Sequence, residues 1–127
     1  MQPGNLEIVQ EQNGNVTVVR PRGAVNIETS SRFHEELMQL VRRKAPAVLV
    51  SLRELERMDT SGLAALIDAA QQLQACGGTL AVSELDGELT DDLSLAQVRS
   101  AFPTFASEQE ALAELGTSGN RQDEDGQ

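Results

Sequence analysis

AVLVSLRELERMDTSGLAALIDAAQQLQACGG, residues 47–78, is the stretch whose pattern decides the fold. Ala47-Val48-Leu49-Val50 is an unbroken apolar run with β-branched residues. Such a run marks a strand buried on both faces, as in a parallel sheet flanked by helices. The polar segment Arg53–Asp59 reads as a connector. Beyond it, Leu63, Leu66, Ile67, Ala70 and Leu73 recur at helical spacing, which predicts a helix over Gly62–Cys76 with one buried stripe. Gly77-Gly78 is its stop, because glycine enters the left-handed conformation that ends helices without steric cost. Thr79–Val82 reads as another short apolar strand. Strand, helix and strand in this order imply parallel strands joined by a crossover helix.

Upstream, Leu6–Gln10 alternates weakly, with Leu6 and Ile8 on one side. Asn13-Gly14 is a hairpin signal, and Val16–Arg20 is the returning strand. Pro21 and Gly23 end that strand, unless Ala24-Val25 extends it past a bulge. Asn26–Lys44 predicts a helix: Phe33, Leu37, Leu40 and Val41 share one face, with Asn26 or Thr29 as the capping oxygen. Arg42-Arg43-Lys44 suits the negative end of the helix dipole, and Pro46 stops the helix.

Downstream, Leu85, Leu89 and Leu93 have helical spacing, so Asp86–Leu95 is expected to be a further helix. Phe102–Phe105 holds an edge strand weakened by Pro103. Ser107-Glu108-Gln109-Glu110 has the spacing of a capping box, opening a last helix that Gly116 should stop. Residues 117–127 contain no large apolar side chain and are expected to form a disordered acidic tail. The result is an α/β chain ordered β-β-α-β-α-β-α-(β)-α, without an internal repeat. Residues 1–116 form its single domain. A mixed sheet of four or five strands carries helices mainly on one face, with Ala47–Leu52 central and Val48 and Val50 inaccessible to solvent.

The 127 residues carry a formal charge of −10. Residues 1–83 hold nearly balanced charges, whereas residues 84–127 hold eleven acidic and two basic groups. Binding of nucleic acid needs a basic face to neutralise phosphate, so nucleic acid is not an expected partner, and neither is anionic lipid. The three aromatics are Phe33, Phe102 and Phe105, so base-stacking platforms are missing and the core is aliphatic. Cys76 and His34 are the sole cysteine and histidine, which leaves no basis for a disulfide framework or a zinc cluster. No apolar run reaches membrane-spanning length, and Met1–Gln10 lacks the pattern of an export signal, so a cytoplasmic protein is expected. Cys76, just inside a helix end, is read as packing. Glycine-rich phosphate loops and the G-x-S-x-G elbow do not occur. His34 beside Phe33 reads as a surface or satisfied helix residue. Adjacent pairs such as Glu35-Glu36 and Asp91-Asp92 diverge on a helix and make no acid–base dyad. No enzymatic activity, cofactor or metal is expected.

Met58-Asp59-Thr60-Ser61-Gly62-Leu63 joins the buried strand to the amphipathic helix. Asp, Thr and Ser at a helix start are accounted for by capping. The same placement also suits regulation. A hydroxyl there lies beside unpaired N–H groups that tolerate a phosphate, and phosphorylation would add a charge of about −1.5 to −2 at one surface point. Gly62 would leave room beside the hydroxyl for a partner's active site.

Asp59-Thr60-Ser61-Gly62-Leu63 resembles the D-[ST]-[ST]-G-L phosphorylation signature of bacterial anti-sigma factor antagonists, which are stand-alone STAS domains. The resemblance extends over 6–116. It takes in Arg22-Gly23-Ala24-Val25-Asn26, the strand Ala47–Leu52, Cys76-Gly77-Gly78, and the joint Phe105–Leu112. It implies a STAS-like fold and a cytoplasmic switch in which partners exchange. The chain would bind an anti-sigma factor that is also a serine/threonine kinase of the histidine-kinase-like ATPase type, freeing a sigma factor. Phosphorylation would end binding and a phosphoprotein phosphatase would restore it. The implied phosphoacceptor is Thr60, with Ser61 as alternative, and Asn26, Asp59, Thr60, Ser61 and Gly62 form the partner surface. Thr60 stands where Ser is commoner in the family, and Asn26 replaces an Asp. The alternative implied by the same fold is an unphosphorylated STAS interaction subunit of a lipid-transport ATP-binding cassette system.

Overall fold

In the computed structural model, which describes residues 6–85 and 100–125, the chain is a mixed sheet between two helical layers. Strands β1 (Leu6–Asn13) and β2 (Val16–Val25) form the opening hairpin. Helix α1 (Ser30–Arg42) leads to β3 (Ala47–Ser51) and β4 (Leu55–Met58). Helix α2 (Thr60–Ala75), β5 (Thr79–Ser83), β6 (Thr104–Phe105) and helix α3 (Glu108–Asp125) follow. The sheet order is β1-β2-β3-β5-β6, with β4 pairing to β2. Among the described residues only the β1–β2 hairpin is antiparallel, and every other pairing is parallel.

The hairpin turns through Gly14, whose φ of 63° places it in the left-handed region. Gly14 is the first of two connecting residues, because Asn13 pairs directly with Val16. The unbroken run of β3 is buried throughout, and Val48 and Val50 are 1% and 0% exposed. Alternation along the strands splits the core into two. Val19, Val48, Val50, Leu80 and Val82 face α1 and α2, where they meet Phe33, Leu37, Leu66 and Leu73. Val18, Ala47, Leu49 and Ala81 face the other way, toward Ala111, Leu112 and Leu115 of α3. The expected crossover architecture therefore holds, with two helices on one face and one on the other.

Some sequence expectations are corrected. The supposed connector Arg53–Asp59 contains β4, so the sheet has six strands. β2 outruns β3: its residues 16–19 pair with β3, and beyond a register shift at Gly23/Ala24 its end pairs with β4. The extension of β2 past a bulge at Ala24-Val25 is thereby realised. Helix α1 starts at Ser30, because residues 26–29 close a turn of their own. The helix opened at Ser107 does not stop at Gly116, which lacks the left-handed φ that Gly77, at +90°, uses to end α2. Cys76 is exposed and plays no part in packing. The edge strand at Phe102–Phe105 shrinks to two residues, and the carbonyl of Pro103 accepts the N–H of Val82 at 3.0 Å. The helix expected over Asp86–Leu95 lies outside the described residues.

Candidate functional site

β2 and β4 end side by side, with Val25 opposite Met58. Immediately beyond, the N–H of Asp59 donates to the carbonyl of Val25 at 3.1 Å. This bond fixes where α2 begins. Asp59 is extended (φ −100°, ψ −171°) and caps the helix. Its Oδ1 accepts from the N–H of Ser61 at 2.9 Å and of Gly62 at 3.3 Å, and from the Ser61 hydroxyl at 2.6 Å. Two of the N–H groups orphaned at a helix start are thus satisfied by one carboxylate.

The hydroxyls at 60 and 61 differ. Thr60 is exposed, and among the described residues its hydroxyl has no hydrogen-bond partner. Ser61 is half-buried, and its hydroxyl is committed to Asp59. Gly62 is buried and departs from its expected role. A Cβ there would come within 2.7 Å of both Met58 Cγ and Val25 Cγ1. Its missing side chain admits the core rather than a partner, because the first turn of α2 seats directly on the strand ends.

Asn26 lies on the adjoining turn. Its Oδ1 accepts from the N–H groups of Glu28 at 2.8 Å and Thr29 at 3.2 Å, so that oxygen is spent within the turn. The Thr29 hydroxyl donates to the carbonyl of Ala24 and accepts from the N–H of Asn26, each at 2.9 Å. Asn26 and Thr29 thus order the turn ahead of α1, and Thr29, although the N-cap, makes no side-chain cap bond. The turn holds out Ile27, which is 80% exposed.

Sequence reasoning missed two features here. Ile27 breaks the polar composition of a turn, and that was its only signal. His34 is a satisfied helix residue, but its partner was not foreseen: its Nε2 lies 2.7 Å from Asp68 Oδ2, tying α1 to α2. Nothing local links positions 34 residues apart. This pair, with Ser30, Ser31, Ser61 and Ala64, lines a shallow groove of about 280 Å³ between the two helices. A second charged cluster lies away from the site. Arg20 grips Glu108 through two hydrogen bonds of 2.7 and 3.1 Å and also reaches Glu11. The Arg20 guanidinium holds the Glu108 carboxyl down to about 2 against the opposing effect of burial. Glu84, at a φ of 60°, accepts the N–H of Glu108 at 2.9 Å and so caps α3 from the sheet. Among the described residues no group of acidic, histidine and cysteine side chains is arranged to hold a metal ion. No helix among them is long and apolar enough to cross a membrane.

A mixed sheet with two helices on one face, and a capped, hydroxyl-bearing helix start at its open end, is an arrangement consistent with the fold of STAS domains. The chain belongs to the STAS domain family, whose model matches residues 7–111. It is 28% identical over 112 residues to a Paenibacillus polymyxa protein named anti-sigma F factor antagonist, covering 87% of this chain and 96% of that one. Its fold is similar to that of an anti-sigma factor antagonist from Mycobacterium paratuberculosis (TM-score 0.73, 19% identity, 89% of this chain and 96% of the other). It is also similar to that of the Bacillus cell fate determinant SpoIIAA in its phosphorylated form (TM-score 0.64, 15% identity, 86% and 99%).

Proposed function

We propose that this chain is a cytoplasmic anti-sigma factor antagonist. It binds an anti-sigma factor that is a serine/threonine kinase of the histidine-kinase-like ATPase type, and so frees a sigma factor. Phosphorylation of Thr60 ends the association, and a phosphoprotein phosphatase restores it. The observation that carries this reading is the contrast between the two hydroxyls. Thr60 presents a free, exposed hydroxyl at the start of a helix whose body is buried through Leu63 and Leu66. Ser61 would have to give up a 2.6 Å bond to Asp59 and bring a phosphate against that carboxylate. The names of the Paenibacillus relative and of the phosphorylated Bacillus neighbour support the same reading.

The geometry supports a switch in which one modification ends binding without unfolding the domain. A phosphate on Thr60 would sit at the positive end of α2, where the helix dipole favours an anion although Asp59 already takes the N–H groups of Ser61 and Gly62. The same dianion adds bulk and charge to a surface that already carries Asp59. A loss of about 4 kcal/mol weakens affinity about a thousandfold. The test is incubation with the kinase and ATP followed by phosphopeptide mapping and a binding titration. Phosphate is expected on Thr60, with binding lost. Thr60→Ala should remain bound in the presence of ATP, and Thr60→Glu should bind poorly. Phosphate on Ser61 alone would refute the assignment. Phosphate on neither would refute the switch.

A further inference from the structure

We propose that Ile27 is the apolar anchor of the partner interface, seated in a pocket of the kinase that modifies Thr60; this rests on the reading of the site given above. Ile27 is the exposed large hydrophobic residue of the described structure, at 80%, while every other large aliphatic side chain described is at least partly covered. Its position is not arbitrary. It lies two residues past Val25, and Asp59, whose N–H bonds the Val25 carbonyl, lies one residue past Met58, the pairing partner of Val25. Two residues span at most about 7 Å, so Ile27 and the Asp59–Thr60 helix start project from one end of the sheet within reach of one partner.

The turn that carries Ile27 is already ordered. The Asn26 side chain accepts two backbone N–H groups, the Asn26 carbonyl accepts the N–H of Thr29 and Ser30, and the Thr29 hydroxyl ties back to Ala24. Thr29 itself is 2% exposed. An anchor held in place by a finished turn loses little freedom on docking, which is the condition under which apolar burial appears as affinity. A kinase that must reach the Thr60 hydroxyl necessarily covers the neighbouring surface, so it is the occupant whose footprint the geometry already requires. A second copy of the chain meets an obstacle, since association brings together two molecules of formal charge −10.

The experiment compares wild type, Ile27→Ser and Ile27→Val in titrations against the purified anti-sigma kinase with ADP bound, alongside thermal melts and sedimentation equilibrium. Ile27→Ser should weaken binding about 10–100-fold, the range expected for exposing one buried aliphatic side chain. Ile27→Val should stay within about fourfold, as expected for loss of one methylene. Melting temperatures should coincide, because the residue is exposed in the free domain. Undiminished binding by Ile27→Ser would overturn the anchor while leaving the Thr60 reading intact. A wild-type dimer that Ile27→Ser dissociates would overturn it in favour of self-association. Failure of the wild type to bind the kinase would remove the site reading and the anchor with it.

Discussion

Gly62 shows how one residue type serves a purpose that its neighbours in sequence conceal. Set among Asp59, Thr60 and Ser61, it reads as clearance for a partner. Its surroundings are Met58 and Val25, the last residues of two paired strands. The prediction at this scale is that Gly62→Ala destabilises the domain by about 1–3 kcal/mol through overpacking. Val25 is β-branched and held in the sheet, so the strain cannot be relieved at Met58 alone. A chemical-denaturation midpoint would register the loss, and an unchanged midpoint would mean that the strand ends yield. Asp59 has a comparable double character. It caps α2 with one carboxylate oxygen, so its replacement by Ala should cost about 1 kcal/mol of stability in addition to any effect on partners. Asp59→Asn retains the capping oxygen and separates the two roles.

Among the elements, α3 depends most on groups distant in sequence. Its apolar contribution is modest, with Ala111 buried and Leu112 and Leu115 partly so. Its N-terminal turn is held by Arg20 of β2 and by Glu84 at the end of β5. The depressed Glu108 carboxyl makes this attachment sensitive to acid. A carboxylate bound more tightly in the folded state stabilises the fold above its unfolded value near 4.5, and the gain fades as pH falls toward about 2. The shift corresponds to on the order of 3 kcal/mol. Unfolding free energy should therefore fall more steeply between pH 5 and pH 2 in the wild type than in Glu108→Gln. Glu108→Gln should be the less stable protein at pH 7. Parallel slopes for the two proteins would show that the ion pair adds nothing. Arg20 is pushed further above an already high value, so it stays charged throughout this window.

For the whole molecule, stability resides in the sheet and the two apolar layers that cover it. We propose that residues 117–127 stand apart from both. They contain no large apolar side chain with which to offset an ordering cost of about 1–2 kcal/mol per residue. A chain ending at Gly116 should melt at the same temperature as the full chain, and a drop of several degrees would mean that the tail packs on the domain.

By itself the sequence determined the β-α-β core, the hairpin, the buried stripes of α1 and α2 and the place of Asp59–Gly62 at a helix start. Each is written in local periodicity or turn chemistry, which states which face of an element is apolar and where the element ends. β4 left no such trace. Leu55 and Met58 are buried and Glu56 and Arg57 exposed, a pattern without strand alternation, and the segment becomes a strand only because β2 extends past Gly23 to receive it. The inward aim of Gly62, the exposure of Ile27, the His34–Asp68 tie and the Arg20–Glu108 clasp across 88 residues were likewise decided in three dimensions. Periodicity encodes that a face is to be covered. What covers it depends on which distant elements dock, and no window of neighbouring residues contains that choice.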